Sequence, residues 1–99
     1  MMGTQPTTTP PSTVVTGTTQ VQIVNFAFAP ASMQVPVGTR VTWTNQDTAP
    51  HTVTFTATRQ GSGTLQQGQT FGYTFATPGT YAYYCAVHPY MTATVTVAP

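Results

Sequence analysis

The feature that most constrains the fold is a period-two alternation of apolar residues, repeated in short stretches from Val21 to near the C-terminal end. Val21 and Ile23 share one face, as do Met33, Val35 and Val37, then Val41 and Trp43, then Val53 and Phe55. The same beat returns in Phe71, Tyr73 and Phe75, in Tyr81, Tyr83 and Cys85, and in Val95 and Val97. Successive side chains of a strand point to opposite faces, so each run reads as a half-buried strand. Pro, Gly, Asn or Asp closes each run, and no stretch keeps helical spacing. Seven or eight such strands predict an all-β domain, a two-sheet antiparallel Greek-key β-sandwich. The many Thr residues agree, because β-branched side chains suit strands.

The sequence divides into a Thr/Pro-rich stretch over residues 1–19 and the patterned domain over residues 20–99. The first reads as a flexible or polyproline-like tether. It holds no apolar run long enough for a signal peptide or a membrane span, so it is either a plain disordered end or the stalk of an exported protein. Within the domain, RQGSGTLQQGQ (residues 59–69) is the least regular segment. It predicts a surface loop with a short edge strand near Leu65. In TPGTYAY, Tyr81 reads either as a core aromatic or as the tyrosine that ties a sandwich corner to nearby backbone.

Charge narrows the function classes. The 99 residues carry two basic side chains, Arg40 and Arg59, and one acidic one, Asp47. A typical domain has about a quarter of its residues charged. Binding to nucleic acid through a basic patch is therefore excluded. Solubility rests on hydroxyls and amides, and such a surface has almost nothing to protonate in acid, which fits an extracytoplasmic setting. The single cysteine, Cys85, rules out an internal disulfide, and the paired thiols of a zinc finger or cytosolic metallochaperone are missing.

That cysteine sits in a telling place. In TYAYYCAVHPYM, Cys85 is followed by His88 and Met91 at steps of three, and the second histidine of the chain, His51, lies at the end of an upstream strand pattern. A lone Cys is ordinarily a small buried hydrophobe, a lone Met core filler. Together they supply one thiolate, two imidazoles and one thioether, the donor set of a blue copper site. Steps of three let one tight loop wrap a single ion. Pro89 and Pro50 stiffen the backbone beside each histidine. One type 1 copper held by His51, Cys85, His88 and Met91 is the expectation.

With strands and donors in place, the chain resembles the cupredoxins, and among them the amicyanins and plastocyanins. VTWTNQDTAPHTVTF around His51 and PGTYAYYCAVHPYM around the other donors carry the resemblance, and the short spacing from His88 to Met91 is most similar to the amicyanin loop. It implies a small electron carrier, not an enzyme, cycling between Cu(I) and Cu(II), with His51, Cys85 and His88 as strong equatorial ligands and Met91 as the long axial one. It further implies that redox donor and acceptor proteins dock on the apolar surface around His88, near Pro50, Pro89 and Tyr90, and that Tyr84 marks a more remote contact. A monomer without a membrane span is expected, in the periplasm or on the outer face of the membrane. Thr52 stands where these families place Asn and Ala86 where they place a hydroxyl residue, so a side-chain tie between the two ligand loops is expected to be lost. Val87, where Pro is frequent, is expected to bring a backbone N–H near the thiolate.

Two other functions are open to a copper-binding chain. A delivery or storage protein needs an open site rich in spare Met or His, and both histidines here are already committed. A catalytic copper domain needs further His for a second centre, and the sequence has none.

Overall fold

The computed structural model describes residues 14–99, and the order of its strands follows the alternation. Nine strands succeed one another among the described residues: β1 (Val15–Thr16), β2 (Gln20–Val24), β3 (Ala27–Ala29), β4 (Ser32–Pro36), β5 (Arg40–Asn45), β6 (Thr54–Phe55), β7 (Thr70–Thr74), β8 (Gly79–Tyr84) and β9 (Thr92–Ala98). The excess over the expected seven or eight comes from pieces of two or three residues, too short to show a period. β1 lies within the stretch read as a tether, most of which falls on residues 1–13, outside the described residues.

Two sheets pack face to face, one ordered β1-β4-β9-β8-β6 and the other β3-β2-β5-β7. The expected antiparallel arrangement needs correction, because both sheets are mixed. β1 runs parallel to β4, β4 to β9, and β2 to β5, whereas β2/β3, β5/β7, β6/β8 and β8/β9 are antiparallel. The cause is the crossing of the chain between layers. After β3 it leaves the second sheet to form β4 in the first, then returns as β5 beside β2 and in the same direction. Alternation reports which face of a strand is buried and carries no information on its direction.

The inward faces meet as the sequence pattern requires. Val21, Ile23, Val41, Trp43, Val53 and Val95 are fully buried, with Met33, Phe75, Tyr83 and Val97 nearly so. Trp43 is the centre of an aromatic cluster, with Phe71 at 5.7 Å and Tyr83 at 5.5 Å between ring centroids. A buried aromatic of this size contributes about 3–5 kcal/mol relative to alanine, so the sandwich has a core independent of any metal. Val37 and Tyr73 depart from the expected inward faces. Val37 lies just past the end of β4, and Tyr73 sits on the edge strand β7, where the facing layer ends.

Burial leaves two polar atoms of this core without a hydrogen-bond partner, the indole Nε1 of Trp43 and the hydroxyl of Tyr83. Desolvation pushes the Tyr83 phenol far above its ordinary range; the Trp43 N–H nearby acts weakly in the other direction without reaching hydrogen-bond geometry. Tyr81, by contrast, donates its hydroxyl to the Thr77 carbonyl at 2.6 Å, which settles the corner reading in its favour.

Candidate metal centre

Three loops at one end of the sandwich converge on the predicted donors. His51 follows the segment that leaves β5, and Asn45, the last residue of that strand, shapes it. Fully buried, Asn45 donates its side-chain amide to the carbonyls of Leu65 (2.8 Å) and Ala49 (3.0 Å) and accepts the N–H of Asp47 (2.9 Å). His51 itself exchanges two backbone hydrogen bonds with Leu65, the short edge contact expected there. A buried amide satisfied on both its ends holds this loop to one path.

Cys85 lies just beyond β8, and the chain curls from it to β9 through His88 and Met91. Backbone hydrogen bonds from Met91 N–H to the His88 carbonyl (2.9 Å) and from Cys85 N–H to the Met91 carbonyl (3.1 Å) close the curl. Cys85, His51 and Met91 are buried, and His88 is half-buried.

The donor atoms form a small triangle. Cys85 Sγ lies 3.6 Å from His51 Nδ1 and 3.8 Å from His88 Nδ1, and the two Nδ1 atoms are 3.2 Å apart. Donors bound at about 2.0–2.3 Å around one first-row ion in a plane stand roughly 3.4–3.8 Å apart, so these side chains fit a shared metal. No other cluster of three His, Cys, Asp or Glu side chains with this closeness occurs among the described residues. The soft thiolate with two imidazoles selects copper over the harder divalent ions.

Three contacts around the triangle were not foreseen. The first is Asp47, the single acidic side chain, whose Oδ2 lies 2.8 Å from His51 Nε2. A carboxylate can only accept there, so Nε2 carries the proton and the Nδ1 lone pair faces the other donors. Burial works to raise the Asp47 carboxyl, but hydrogen bonds from Phe26 N–H, His51 and Asn25 N–H outweigh it and hold the group below its ordinary value of 3.8. A lone acid four residues ahead of a candidate ligand was the available signal.

The second is Phe26, whose ring meets His51 and His88 edge-on at 5.2 and 4.9 Å between centroids. It belongs to the two-residue turn between β2 and β3, where Asn25 and Phe26 both have positive φ, 53° and 58°. Such turns favour Asn-Gly, and a bulky residue in the second place costs about 1–2 kcal/mol.

The third corrects the expected loss of a tie between the ligand loops. Ala86 N–H donates to Thr52 Oγ1 at 2.8 Å, so a threonine hydroxyl on one loop and a backbone donor on the other join the loops without a side-chain pair. Thr52 also supplies the N–H nearest the sulfur, 3.3 Å from Cys85 Sγ. A donor was expected from Val87, and no hydrogen bond from the Val87 N–H to the sulfur occurs among the described residues.

The Cupredoxin-like domain model matches residues 6–97. This chain belongs to the cupredoxin-like family. Amicyanin-alpha from Methylorubrum extorquens is 36% identical to it over 89 residues, covering 82% of this chain and 72% of that protein. Among solved structures, the purple cupredoxin from Nitrosopumilus maritimus superposes with a TM-score of 0.75 at 32% identity, over 82% of this chain and all of the other. The Cu-containing nitrite reductase from Thermus scotoductus SA-01 gives a TM-score of 0.75 at 29% identity; the match covers 81% of this chain and spans only 22% of that enzyme. Amicyanin and plastocyanin relatives are electron-transfer blue copper proteins. With the Cys and His triangle in place, this cupredoxin is a copper protein that carries single electrons.

Proposed function

We propose that His51, Cys85, His88 and Met91 would together hold one type 1 copper ion, the two imidazoles and the thiolate as its strong donors and the thioether as the weak one, and that the protein shuttles single electrons between two redox proteins outside the cytoplasm. The triangle of Cys85 Sγ with the two Nδ1 atoms supports this most directly. Bound copper supplies the one-electron couple; the chain's part is to keep the donors still. The Leu65 pairing fixes His51, the two backbone bonds close the Cys85–Met91 loop, and Thr52 joins the halves. Little then needs to rearrange between oxidation states.

His88 is the half-buried ligand, and the surface beside it is apolar: Phe26, Val87 and Tyr90 are 43%, 45% and 71% exposed. A partner seated there comes within reach of the imidazole edge while excluding water. A monomer suffices for this, and the segment over residues 1–19 would serve as a tether. Catalysis of the nitrite reductase kind is disfavoured, since it needs histidines for a second centre and both histidines of this sequence stand at the first. Delivery or storage of copper is disfavoured by the burial of three of the four donors.

The test is optical. Protein loaded with Cu(II) should be intensely blue or purple through charge transfer from the Cys85 sulfur, with reversible voltammetry. Cys85→Ala should lose the colour and keep its β-sheet circular dichroism. A coloured Cys85→Ala protein would refute the assignment, and a colourless parent that binds only Cu(I) and exchanges it rapidly would favour delivery.

A further inference from the structure

Phe26 occupies a turn position that favours glycine, so something around it must hold the backbone there. The holding group is Asp47. Its Oδ1 accepts the Asn25 N–H at 2.8 Å and its Oδ2 the Phe26 N–H at 2.9 Å, while the same Oδ2 accepts a hydrogen bond from the His51 Nε2–H at 2.8 Å. One carboxylate thus bonds both turn amides, on a segment more than twenty residues away in sequence, and the buried imidazole. The turn it secures lays the Phe26 ring against the edges of His51 and His88 at nearly perpendicular angles, 87° and 83°. The ring is half-exposed, so its outer side faces solvent and its inner side shields two imidazoles.

We propose that Asp47 is the positioning residue of the copper centre, locking His51 and the Phe26 turn into one unit whose charge favours the oxidised ion and whose ring slows the escape of the metal. This rests on the copper assignment made above. The argument has two parts. A fixed anion beyond a ligand stabilises the more highly charged state of the ion, Cu(II), more than Cu(I), and hydrogen bonding to a carboxylate makes the imidazole a stronger donor. Neither Arg40 nor Arg59 forms an ion pair with Asp47, so its charge is not offset by a basic side chain. The Phe26 ring, meanwhile, covers the side from which solvent or a chelator would approach the two imidazoles.

The two parts are tested separately. Asp47→Asn keeps an acceptor oxygen for His51 and removes the charge. Competition with Cu(I) and Cu(II) chelators should show the ratio of Cu(II) to Cu(I) affinity falling by about tenfold, equivalent to a potential raised by about 59 mV. Asp47→Glu keeps the charge and should restore most of the ratio. A ratio unchanged within twofold in Asp47→Asn, or a Glu variant that behaves as the Asn variant does, overturns the electrostatic part. Phe26→Gly suits the turn, so the copper-free protein should be at least as stable as the parent while copper transfer to a chelator becomes several-fold faster. Unchanged release overturns the shielding part. Nitrogen-15 NMR of the copper-free protein should show a slowly exchanging proton on His51 Nε2 in the parent and its loss in Asp47→Ala. That reading does not depend on copper, so it stands or fails apart from the copper assignment, and rapid exchange in the parent overturns the lock.

Discussion

Thr52→Val offers the sharpest test of how the two ligand loops are joined. Valine has nearly the volume of threonine, so the buried methyl packing of Thr52 persists and only the hydroxyl is lost. That hydroxyl accepts the Ala86 N–H at 2.8 Å and pairs with Thr54 Oγ1 at 2.8 Å. Thr54 is half-buried and can turn to water, so its loss is small. Ala86 N–H is partly buried at the loop junction and is left facing a methyl group, which costs about 1–2 kcal/mol. For a domain of this size each kcal/mol lowers the melting temperature by about 4–8 °C, so copper-free Thr52→Val should melt about 4–16 °C below the parent. Circular dichroism measures the melt. Hydrogen exchange at the Ala86 amide localises the effect, because that amide should become markedly faster in Thr52→Val and remain slow in Thr52→Ser. A melt within a degree or two of the parent, with Ala86 exchange unchanged, would show that the hydroxyl does not join the loops.

Other substitutions probe the frame and the docking face. A methyl added at Gly61 would stand 1.8 Å from the Val53 carbonyl oxygen, so Gly61→Ala must shift backbone beside Thr52 and should destabilise by about 2–4 kcal/mol in urea unfolding, whereas at Gly72 the clash is with the mobile Arg40 side chain and Gly72→Ala should cost under about 1 kcal/mol. Equal costs would contradict that distinction. Tyr83→Phe removes a buried hydroxyl that has no partner, so the variant should be at least as stable as the parent; a loss above about 1 kcal/mol would reveal a bond in solution that the structure lacks. With three charged side chains in the chain, electron-transfer rates should vary little with ionic strength, and Tyr90→Glu on the apolar rim should slow them at every salt concentration. A steep salt dependence for the parent together with an unaffected Tyr90→Glu would move the docking face elsewhere.

The legible part of this protein was what repeats or stands out locally. Alternation located the strands from Val21 to Val97, and the scarcity of Cys and His made the Cys85, His88, Met91 and His51 pattern conspicuous. What escaped depends on chain segments far apart in sequence. The parallel pairing of β2 with β5 follows from a crossover between layers, which no local pattern encodes. The Asp47 bonds to Asn25 and Phe26 span 22 and 21 residues, and the Thr52 bond to Ala86 spans 34. That last contact is invisible to a comparison of side chains, because its donor is the main-chain N–H of Ala86. Tyr73 and Val37 were misplaced for a simpler reason, since period two cannot tell where a strand or its covering layer stops.

The parallel seam between β4 and β9 also has a kinetic consequence. Ser32 lies beside Thr94 and Pro36 beside Ala98, so this pairing joins segments separated by most of the domain. Non-local pairings of that kind form slowly, after the entropy of a large loop has been overcome. Three of the candidate donors, Cys85, His88 and Met91, are close in sequence, but His51, three residues ahead of β6, joins them only when β6 pairs with β8. A chain still folding therefore holds three candidate donors together before the fourth arrives. Any preference of copper for the native state over the unfolded one would then come from what that last pairing adds: one imidazole, its carboxylate partner and the shelter of the sandwich.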